Sequence, residues 1–214
     1  MPTIDPEPGR DCPLCPRLVG YREENRAAHP DWWNGPAPSF GDPAARLLIV
    51  GLAPGRAGAN RTGRPFTGDF AGVLLYETLL RTGFARGRYA ARPDDGLRLV
   101  DCMITNAVRC APPGNKPLPA EEATCRPFLA ARIAALPRLK VIVTLGDVAR
   151  RNVLRALGLK ASAGAAGHGA QLEAAGFTLI NSYHCSRLNT NTGRLTPAMF
   201  EAVFETAKAA LGEA

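Results

Sequence analysis

The sequence predicts an α/β fold with a parallel sheet. Two apolar runs, 47–50 and Val141–Leu145, are each closed by a glycine, as is typical of buried parallel strands. Segments whose apolar residues recur at helical spacing follow these runs along the chain. Strands that alternate with helices in this way form a parallel sheet covered by helices. The length of 214 residues and the lack of internal repeats predict one domain over residues 1–214.

The individual elements are predicted from local patterns in chain order. Residues 1–45 are rich in proline, glycine and aromatic residues and predict an N-terminal arm. Helical spacing of apolar residues predicts helices over 16–28, 73–82, 120–136, 148–157 and 197–211. Short apolar runs predict strands over 47–50, within 97–108, and over 141–145 and 177–183. Because parallel sheets bind ligands beyond the carboxyl ends of their strands, we expect the chemistry in the loops after the first, second and fourth strands.

The composition is that of a basic globular protein. A hydrophobic content of 46% and a charged content of 21% exclude a largely disordered chain. The net charge is +7, and arginine carries most of the positive charge because the chain has few lysines: Lys116, Lys140, Lys160 and Lys208. Arginine matches phosphate oxygens with two parallel hydrogen bonds, which is consistent with a nucleic-acid partner. A compositional bias of the genome is the alternative explanation.

The sequence gives no indication of a membrane partner. No stretch approaches the ~20 consecutive apolar residues of a membrane-spanning helix. The first residues do not have the pattern of a signal peptide. We therefore expect a cytoplasmic protein.

The cysteine spacing predicts a metal centre. Cys12 and Cys15 form a Cys-x-x-Cys pair, and fourteen residues separate Cys110 from Cys125. A tight pair combined with a wider pair is typical of four thiolates on one metal centre. Spacing alone does not distinguish zinc from an iron–sulfur cluster. Disulfides are the weaker alternative, because nothing in the sequence indicates an oxidising compartment.

The loop sequences carry a resemblance to a known family. They are residues 51–55 with their continuation 59–69, residues 105–110, and residues 182–196. Together with the four cysteines, these loops resemble the uracil-DNA glycosylase superfamily, and most closely its iron–sulfur branch, the family 5 or type B enzymes. The resemblance extends from Cys12 to the last helix. It implies a three-layer α/β/α sandwich with a central four-stranded parallel sheet. It also implies a [4Fe–4S] cluster on the four cysteines, and excision of uracil from DNA in base excision repair.

The resemblance assigns a base pocket to the loops after the strands. A base within a duplex has to be extruded before an enzyme can reach it. Phe66 is expected to stack on the extruded base, and the Asn106 amide is expected to bind its edge. Gly51 and Gly55 are expected to let the backbone approach the base closely, and Ala53 is assigned to the same pocket.

Catalysis is assigned to Asp69, His184 and Asn106. His184 is expected to donate a hydrogen bond to the departing base, on which negative charge develops. Many superfamily members have a polar residue after the first glycine to position water, but Leu52 and Ala53 stand there in this chain. Asp69 is the next candidate for orienting water or stabilising the sugar cation. A helix N-cap is its alternative role.

Residues around the same loops are predicted to bind DNA: Arg61, Arg64, Lys116, Ser186, Arg187, Leu188 and Asn189. The basic side chains are expected to contact phosphates. Arg187 and Leu188 are expected to fill the gap left by the extruded nucleotide, as apolar wedges do. A solvated loop with one exposed leucine is the alternative interpretation.

These assignments predict a monomeric, monofunctional DNA glycosylase. No lysine lies in the site motifs, so we expect no covalent amine intermediate and no strand nicking. The lack of a strong base near Leu52 favours acceptance of hypoxanthine and xanthine beside uracil, whereas Asn106 favours a narrower preference for uracil. A non-catalytic iron–sulfur DNA-binding protein on the same scaffold is the alternative. A variant that traps DNA covalently is disfavoured, because residues 56–61 contain no histidine.

Overall fold

The computed structural model describes residues 5–212. Its strands are β1 (Phe40–Gly41), β2 (Leu47–Gly51), β3 (Ala85–Arg86), β4 (Arg98–Leu99), β5 (Cys102–Asn106), β6 (Val141–Leu145), β7 (Gln171–Ala174) and β8 (Phe177–Ser182). Its α-helices are α1 (Pro16–Ala28), α2 (Ala59–Thr62), α3 (Phe70–Thr82), α4 (Pro119–Ala134), α5 (Asp147–Ala156), α6 (Arg187–Asn191) and α7 (Pro197–Ala210). A single 3₁₀ turn covers Pro113–Asn115.

The central sheet has six strands in the order β1-β5-β2-β6-β8-β7. The inner four, β5, β2, β6 and β8, are parallel and are the four predicted strands. The expectation of a four-stranded sheet is corrected at the edges, where β1 pairs antiparallel with β5 and β7 pairs antiparallel with β8. Strands of two and four residues are too short to give a periodic sequence signal, which is why sequence patterns missed them.

Helices cover both faces of the sheet, which confirms the three-layer α/β/α architecture. Strand side chains alternate between the faces. Leu47 and Ile49 of β2 pack in one core with helices α3 and α7, while Leu48 and Val50 pack in the other with α4 and α5. All residues of β2, β5 and β6 are buried, as expected for strands covered on both sides.

The N-terminal arm is attached to the body by buried charges. Glu7 forms ion pairs with Arg109, whose side chain is 2% exposed, and with Arg132 of α4, 2.6 Å away. On the other side of the arm, Arg56 Nε donates to Asn25 Oδ1 of α1 over 2.7 Å. The predicted helix over 16–28 is confirmed as α1. Within residues 5–212, no helix has the length and apolarity to cross a membrane.

Candidate active site

A cleft of about 430 Å³ opens at the carboxyl edge of the sheet. Of the predicted site residues, it is lined by Ala53, Gly55, Phe66, Asp69, Asn106, His184, Ser186 and Arg187. These residues come from the loops after β2, β5 and β8, as expected for a parallel sheet. The fold therefore brings the predicted catalytic residues and most of the base-binding residues together.

Strand register places Asn106 beside Gly51. The two residues are the last of adjacent parallel strands and are paired with each other. A Cβ atom at position 51 would lie 2.5 Å from Asn106 Oδ1 and 2.5 Å from Phe66 Cζ. Gly51 therefore makes room for these two side chains. The expected reason for a glycine here, close approach of the backbone to the base, is corrected accordingly. Asn106 is buried, and its Oδ1 has no hydrogen-bond partner in residues 5–212.

Phe66 is held in an unusual backbone conformation. Its φ of 52° lies in the left-handed region, which costs a residue with a Cβ atom roughly 1–2 kcal/mol. Its side chain is 7% exposed, and the ring centroid lies 6.2 Å from that of His184 at an interplanar angle of 32°. Such a strained residue persists only where its surroundings fix it, and it often marks a binding site.

His184 stands two residues beyond the end of β8. Burial lowers the pKa of His184, so its imidazole is neutral at pH 7. Its Nδ1 is buried and has no hydrogen-bond partner among the described residues. The Asn189 side chain donates to the His184 backbone oxygen over 2.8 Å and so fixes the loop. A neutral imidazole carries one N–H and can donate it to a ligand in the cleft.

Asp69 caps a helix and also lines the cleft. One carboxylate oxygen accepts a hydrogen bond from the Gly72 N–H over 3.0 Å, which caps helix α3. Burial raises the pKa of Asp69, partly offset by hydrogen bonds from the backbone of Gly72 and Ala71. The same side chain lines the cleft. Capping and contact with a ligand are therefore compatible at this position.

The rim of the cleft carries exposed apolar groups. Leu188 is 73% exposed and belongs to the short helix α6, whose N-cap is Ser186. The Arg187 guanidinium lies 5.0 Å from the ring centroid of Phe70, which is 39% exposed. Val73, one turn further along α3, is 43% exposed. An exposed leucine at the mouth of a cleft has the position that a wedge requires.

Two of the predicted DNA-binding residues, Arg61 and Arg64, do not line the cleft, and the prediction for Arg64 is corrected. Lys116 is exposed and follows Asn115 of the cleft lining, whereas Arg61 is exposed beside Trp33, outside the cleft. Arg64 is 5% exposed and forms a two-pronged ion pair with Asp95, with both distances 2.8 Å. The expectation that Arg64 contacts a phosphate is wrong, because its guanidinium is already paired inside the protein.

The four predicted metal-ligating cysteines line one pocket. Cys12 and Cys15 precede α1, Cys110 follows β5 and Cys125 lies in α4. Burial raises the pKa of Cys110 to about 12 and that of Cys125 to about 11. Within residues 5–212, no three His, Cys, Asp or Glu side chains form a group that could hold a metal ion. The pocket thus brings the four cysteines to one place in the fold.

The remaining cysteines and His168 have packing roles. Cys102 and Cys185 are fully buried in the core on the α3 and α7 side. His168 Nδ1 accepts a hydrogen bond from the Tyr183 N–H over 3.2 Å, and its Nε2 lies 3.1 Å from the Met199 carbonyl oxygen. Because Nδ1 accepts, Nε2 carries the hydrogen and donates it to Met199. His168 therefore ties the end of β8 to α7.

The family follows from a comparison with known proteins. Residues 38–208 match the family model of the uracil DNA glycosylase superfamily. The chain belongs to the uracil DNA glycosylase superfamily. Among curated relatives, a type-5 uracil-DNA glycosylase of Thermus thermophilus is 47% identical, covering 94% of each chain. A type-5 enzyme of Pyrobaculum aerophilum is 41% identical over 94% of this chain and 90% of the relative. A type-4 enzyme of the same organism is 33% identical over 71% of this chain and 64% of the relative.

The resemblance to the type-5 branch of the glycosylase superfamily is confirmed. Sequence reasoning missed Phe70, Ala71 and Asn115, which also line the glycosylase cleft. Asn115 ends the 3₁₀ turn with a φ of 56°, a left-handed conformation that asparagine tolerates better than most residues. The Asn-Lys sequence in a proline-rich loop was the available signal for Asn115. No sequence signal separates Phe70 from a core residue of α3.

Proposed function

We propose that the protein is a monofunctional DNA glycosylase that extrudes uracil from DNA and hydrolyses its N-glycosidic bond. The observation that carries the proposal is the pair of unpartnered atoms, Asn106 Oδ1 and His184 Nδ1. Both are buried polar atoms of residues that line one cleft. A buried polar group without a partner costs about 1–3 kcal/mol, which a ligand with complementary hydrogen-bonding groups removes.

Uracil has the complementary groups. Its N3–H can donate to Asn106 Oδ1, and its ring can stack against Phe66. Water attacks C1′ of the sugar, and the electrons of the C1′–N1 bond leave with the base as an anion whose charge extends to O2. A donor placed at that oxygen, such as the His184 N–H, accelerates the step by about 10²–10³-fold.

Asp69 acts on the sugar side of the bond. A carboxylate there can orient the attacking water and stabilise the positive charge that develops at C1′. The raised pKa of Asp69 reflects a carboxylate in a buried place, where its electrostatic effect on a nearby cation is strong. Leu52 and Ala53, which also line the cleft, have no group for either task.

The named relatives support uracil in DNA as the substrate. Five type-5 uracil-DNA glycosylases are 41–47% identical to the chain over 94% of its length. Because neither Leu52 nor Ala53 supplies a strong base in the cleft, hypoxanthine and xanthine are included in the proposal as further substrates. The predicted cytoplasmic location and monomeric state stay predictions.

We assign a [4Fe–4S] cluster to Cys12, Cys15, Cys110 and Cys125. The support is that their sulfurs share one pocket and that four thiolates are the usual ligands of such a cluster. The four thiolates would hold the iron atoms of the cluster, and cysteines that line one pocket fit that task. The cluster would join the arm to β5 and α4, and it supplies no step of the hydrolysis.

Base release tests the proposed activity. Anaerobically purified protein should release free uracil from a uracil-containing duplex and leave an abasic site without nicking the strand. The His184→Ala and Asn106→Ala variants should each lose about 10²-fold or more in single-turnover rate. Intact DNA after prolonged incubation with folded, iron-loaded protein would leave the non-catalytic DNA-binding alternative.

Iron content tests the cluster separately. The purified protein should contain iron and acid-labile sulfide, and Cys12→Ser and Cys125→Ser should each lose them. Cys102→Ala is the matched control, because this cysteine lies in the core away from the pocket, and it should keep its iron. Equal iron contents in all variants, or none in the parent protein, would contradict the assignment.

A further inference from the structure

The segment between α3 and β5 lies outside the six-stranded sheet and has no part in the chemistry described above. It forms the two-stranded sheet β3–β4, in which Ala85 pairs with Leu99 and Arg86 with Arg98. The loop between the two strands carries Tyr89 and Asp95. Both side chains reach back to the loop that holds Phe66.

Two tyrosines hold the backbone on each side of Phe66. Tyr76 of α3 is fully buried, and its hydroxyl donates to the Pro65 carbonyl oxygen over 2.6 Å. The Tyr89 hydroxyl donates to the Phe66 carbonyl oxygen over 3.2 Å and lies 3.4 Å from the Gly68 N–H, which donates to it. The rings of the two tyrosines stack with their centroids 4.6 Å apart. Consecutive carbonyl groups around Phe66 are therefore fixed by neighbouring hydroxyls.

The buried ion pair completes this arrangement. The Arg64 fork binds both oxygens of Asp95, and Arg64 Nε donates to Thr67 Oγ1 over 2.7 Å. The guanidinium lies 5.3 Å from the ring centroid of Tyr76 and 5.8 Å from that of Tyr89. Asp95 also accepts hydrogen bonds from the N–H groups of Ala90 and Leu97, which fixes it within its own loop. We call Arg64, Tyr76, Tyr89 and Asp95 the brace.

The packing under Phe66 leaves it little freedom. A Cβ atom at Gly72 would lie 1.7 Å from the Phe66 carbonyl oxygen and 2.7 Å from the Tyr89 hydroxyl. Helix α3 therefore approaches the Phe66 backbone as closely as its glycine permits. The left-handed φ of 52° at Phe66 is maintained by contacts from three directions: α3, the β3–β4 segment and the Arg64–Asp95 pair.

We propose that the brace positions Phe66 for contact with the extruded base, so that the β3–β4 segment contributes to catalysis through a residue it does not carry. This inference rests on the proposed glycosylase function. The four brace residues are positioning residues, since none of them lines the cleft. The brace holds the Phe66 ring in position to stack before the base enters the cleft. Binding therefore does not have to supply the free energy of ordering the loop.

Tyr89→Phe tests the proposal with the loss of one oxygen atom. The variant keeps the ring stack with Tyr76 and loses both hydroxyl contacts with residues 66 and 68. We expect its single-turnover rate of uracil release to fall about fivefold, as for the loss of one modest hydrogen-bonding group in a preorganised site. Tyr21→Phe is the matched control: Tyr21 lies in α1, outside the cleft and the brace, and its rate should not change.

A double-mutant cycle distinguishes positioning from a general structural role. If Tyr89 acts through Phe66, the effect of Tyr89→Phe should disappear in a Phe66→Leu background. Tyr76→Phe, which loses the contact with Pro65, should behave in the same way and serves as the second variant if Tyr89→Phe does not fold. Equal rates in Tyr89→Phe and the parent, an additive loss in the double variant, or no effect of Phe66→Leu would each overturn the proposal. If the parent protein releases no uracil at all, it is the proposed function that has failed.

Discussion

Asp69 caps helix α3 with the same carboxylate that we propose acts on the sugar. Because burial raises its pKa in the folded protein, the ionised form costs stability at neutral pH. Asparagine caps helices as well as aspartate does and carries no charge. Asp69→Asn should therefore be more stable than the parent at pH 7, while uracil release falls about 10²-fold or more.

The pH dependence of this difference checks its cause. The stability contributed by a group with a raised pKa is present at low pH and is lost as the pH rises through the folded-state pKa. Urea unfolding should show the advantage of Asp69→Asn at pH 7 and a smaller advantage near pH 4. Asp42→Asn, which keeps a similar backbone hydrogen bond from Ala44, is the control. An Asp69→Asn variant with full activity would remove the carboxylate from the mechanism.

His184 gives a second prediction, with the opposite sign. Its pKa is lowered by burial, so the unfolded state binds a proton more tightly than the folded state does. The stability that neutral His184 contributes is therefore fully present above the unfolded-state pKa of about 6.5. It is lost as the pH falls from there through the folded-state pKa. Replacing His184 with glutamine should reduce the drop in unfolding free energy between pH 7.5 and pH 5.5, measured by urea denaturation. Equal drops in the two proteins would mean that His184 is not buried as a neutral group.

Sequence analysis predicted which residues reach the cleft better than it predicted the burial and the partners of individual side chains. Asn106, Asp69 and His184 could be assigned because they follow strands whose carboxyl ends meet at one edge of the sheet. Arg64 could not, because charge predicts exposure on average and its partner Asp95 lies 31 residues away. Burial of an arginine depends on a long-range contact that local sequence does not contain.

Helix α6 carries Leu188, the residue predicted to fill the gap that an extruded nucleotide leaves. Sequence analysis placed residues 182–196 among the loops, but five of these residues form a helix capped by Ser186, with Leu188 exposed at its start. Leu188→Ala should leave the melting temperature unchanged, since the side chain is 73% exposed. Uracil release from duplex DNA should fall about tenfold, whereas release from single strands should change less than about twofold, because only a duplex leaves a gap to fill.

A matched apolar residue provides the control for the wedge. Leu118 is 48% exposed at the start of α4, and Leu118→Ala should leave the ratio of duplex to single-strand rates unaltered. Equal losses on both substrates for Leu188→Ala would show that Leu188 supports the cleft rather than the separation of bases. The long elements were predictable from their periodicity, but α6 and strands β1, β3, β4 and β7 have only two to five residues each, too few for a periodic pattern to be recognised.

The fold places the cleft at the carboxyl edge of the sheet, away from the amino edge. The cleft and Lys116 lie at the carboxyl edge, while Lys140, directly before β6, lies at the amino edge. The parallel sheet and the position of the cleft at its carboxyl edge could be predicted, because alternation of strands and helices allows few topologies. The ion pairs that Glu7 and Asp95 form with arginines could not, since they join segments far apart in sequence.

Because the net charge is +7, DNA binding should weaken as the salt concentration rises. We expect this salt dependence to come from basic residues beside the cleft. A lysine that contacts a phosphate adds about 0.9 to the slope of log affinity against log salt concentration. Lys116→Ala should therefore make the slope shallower by about one unit, measured between roughly 50 and 200 mM salt on an abasic duplex. Lys140→Ala removes the same charge from the amino edge and should leave the slope nearly unchanged. Identical slopes for the two variants would show that the charge acts through the general field of the protein and not through a phosphate contact beside the cleft.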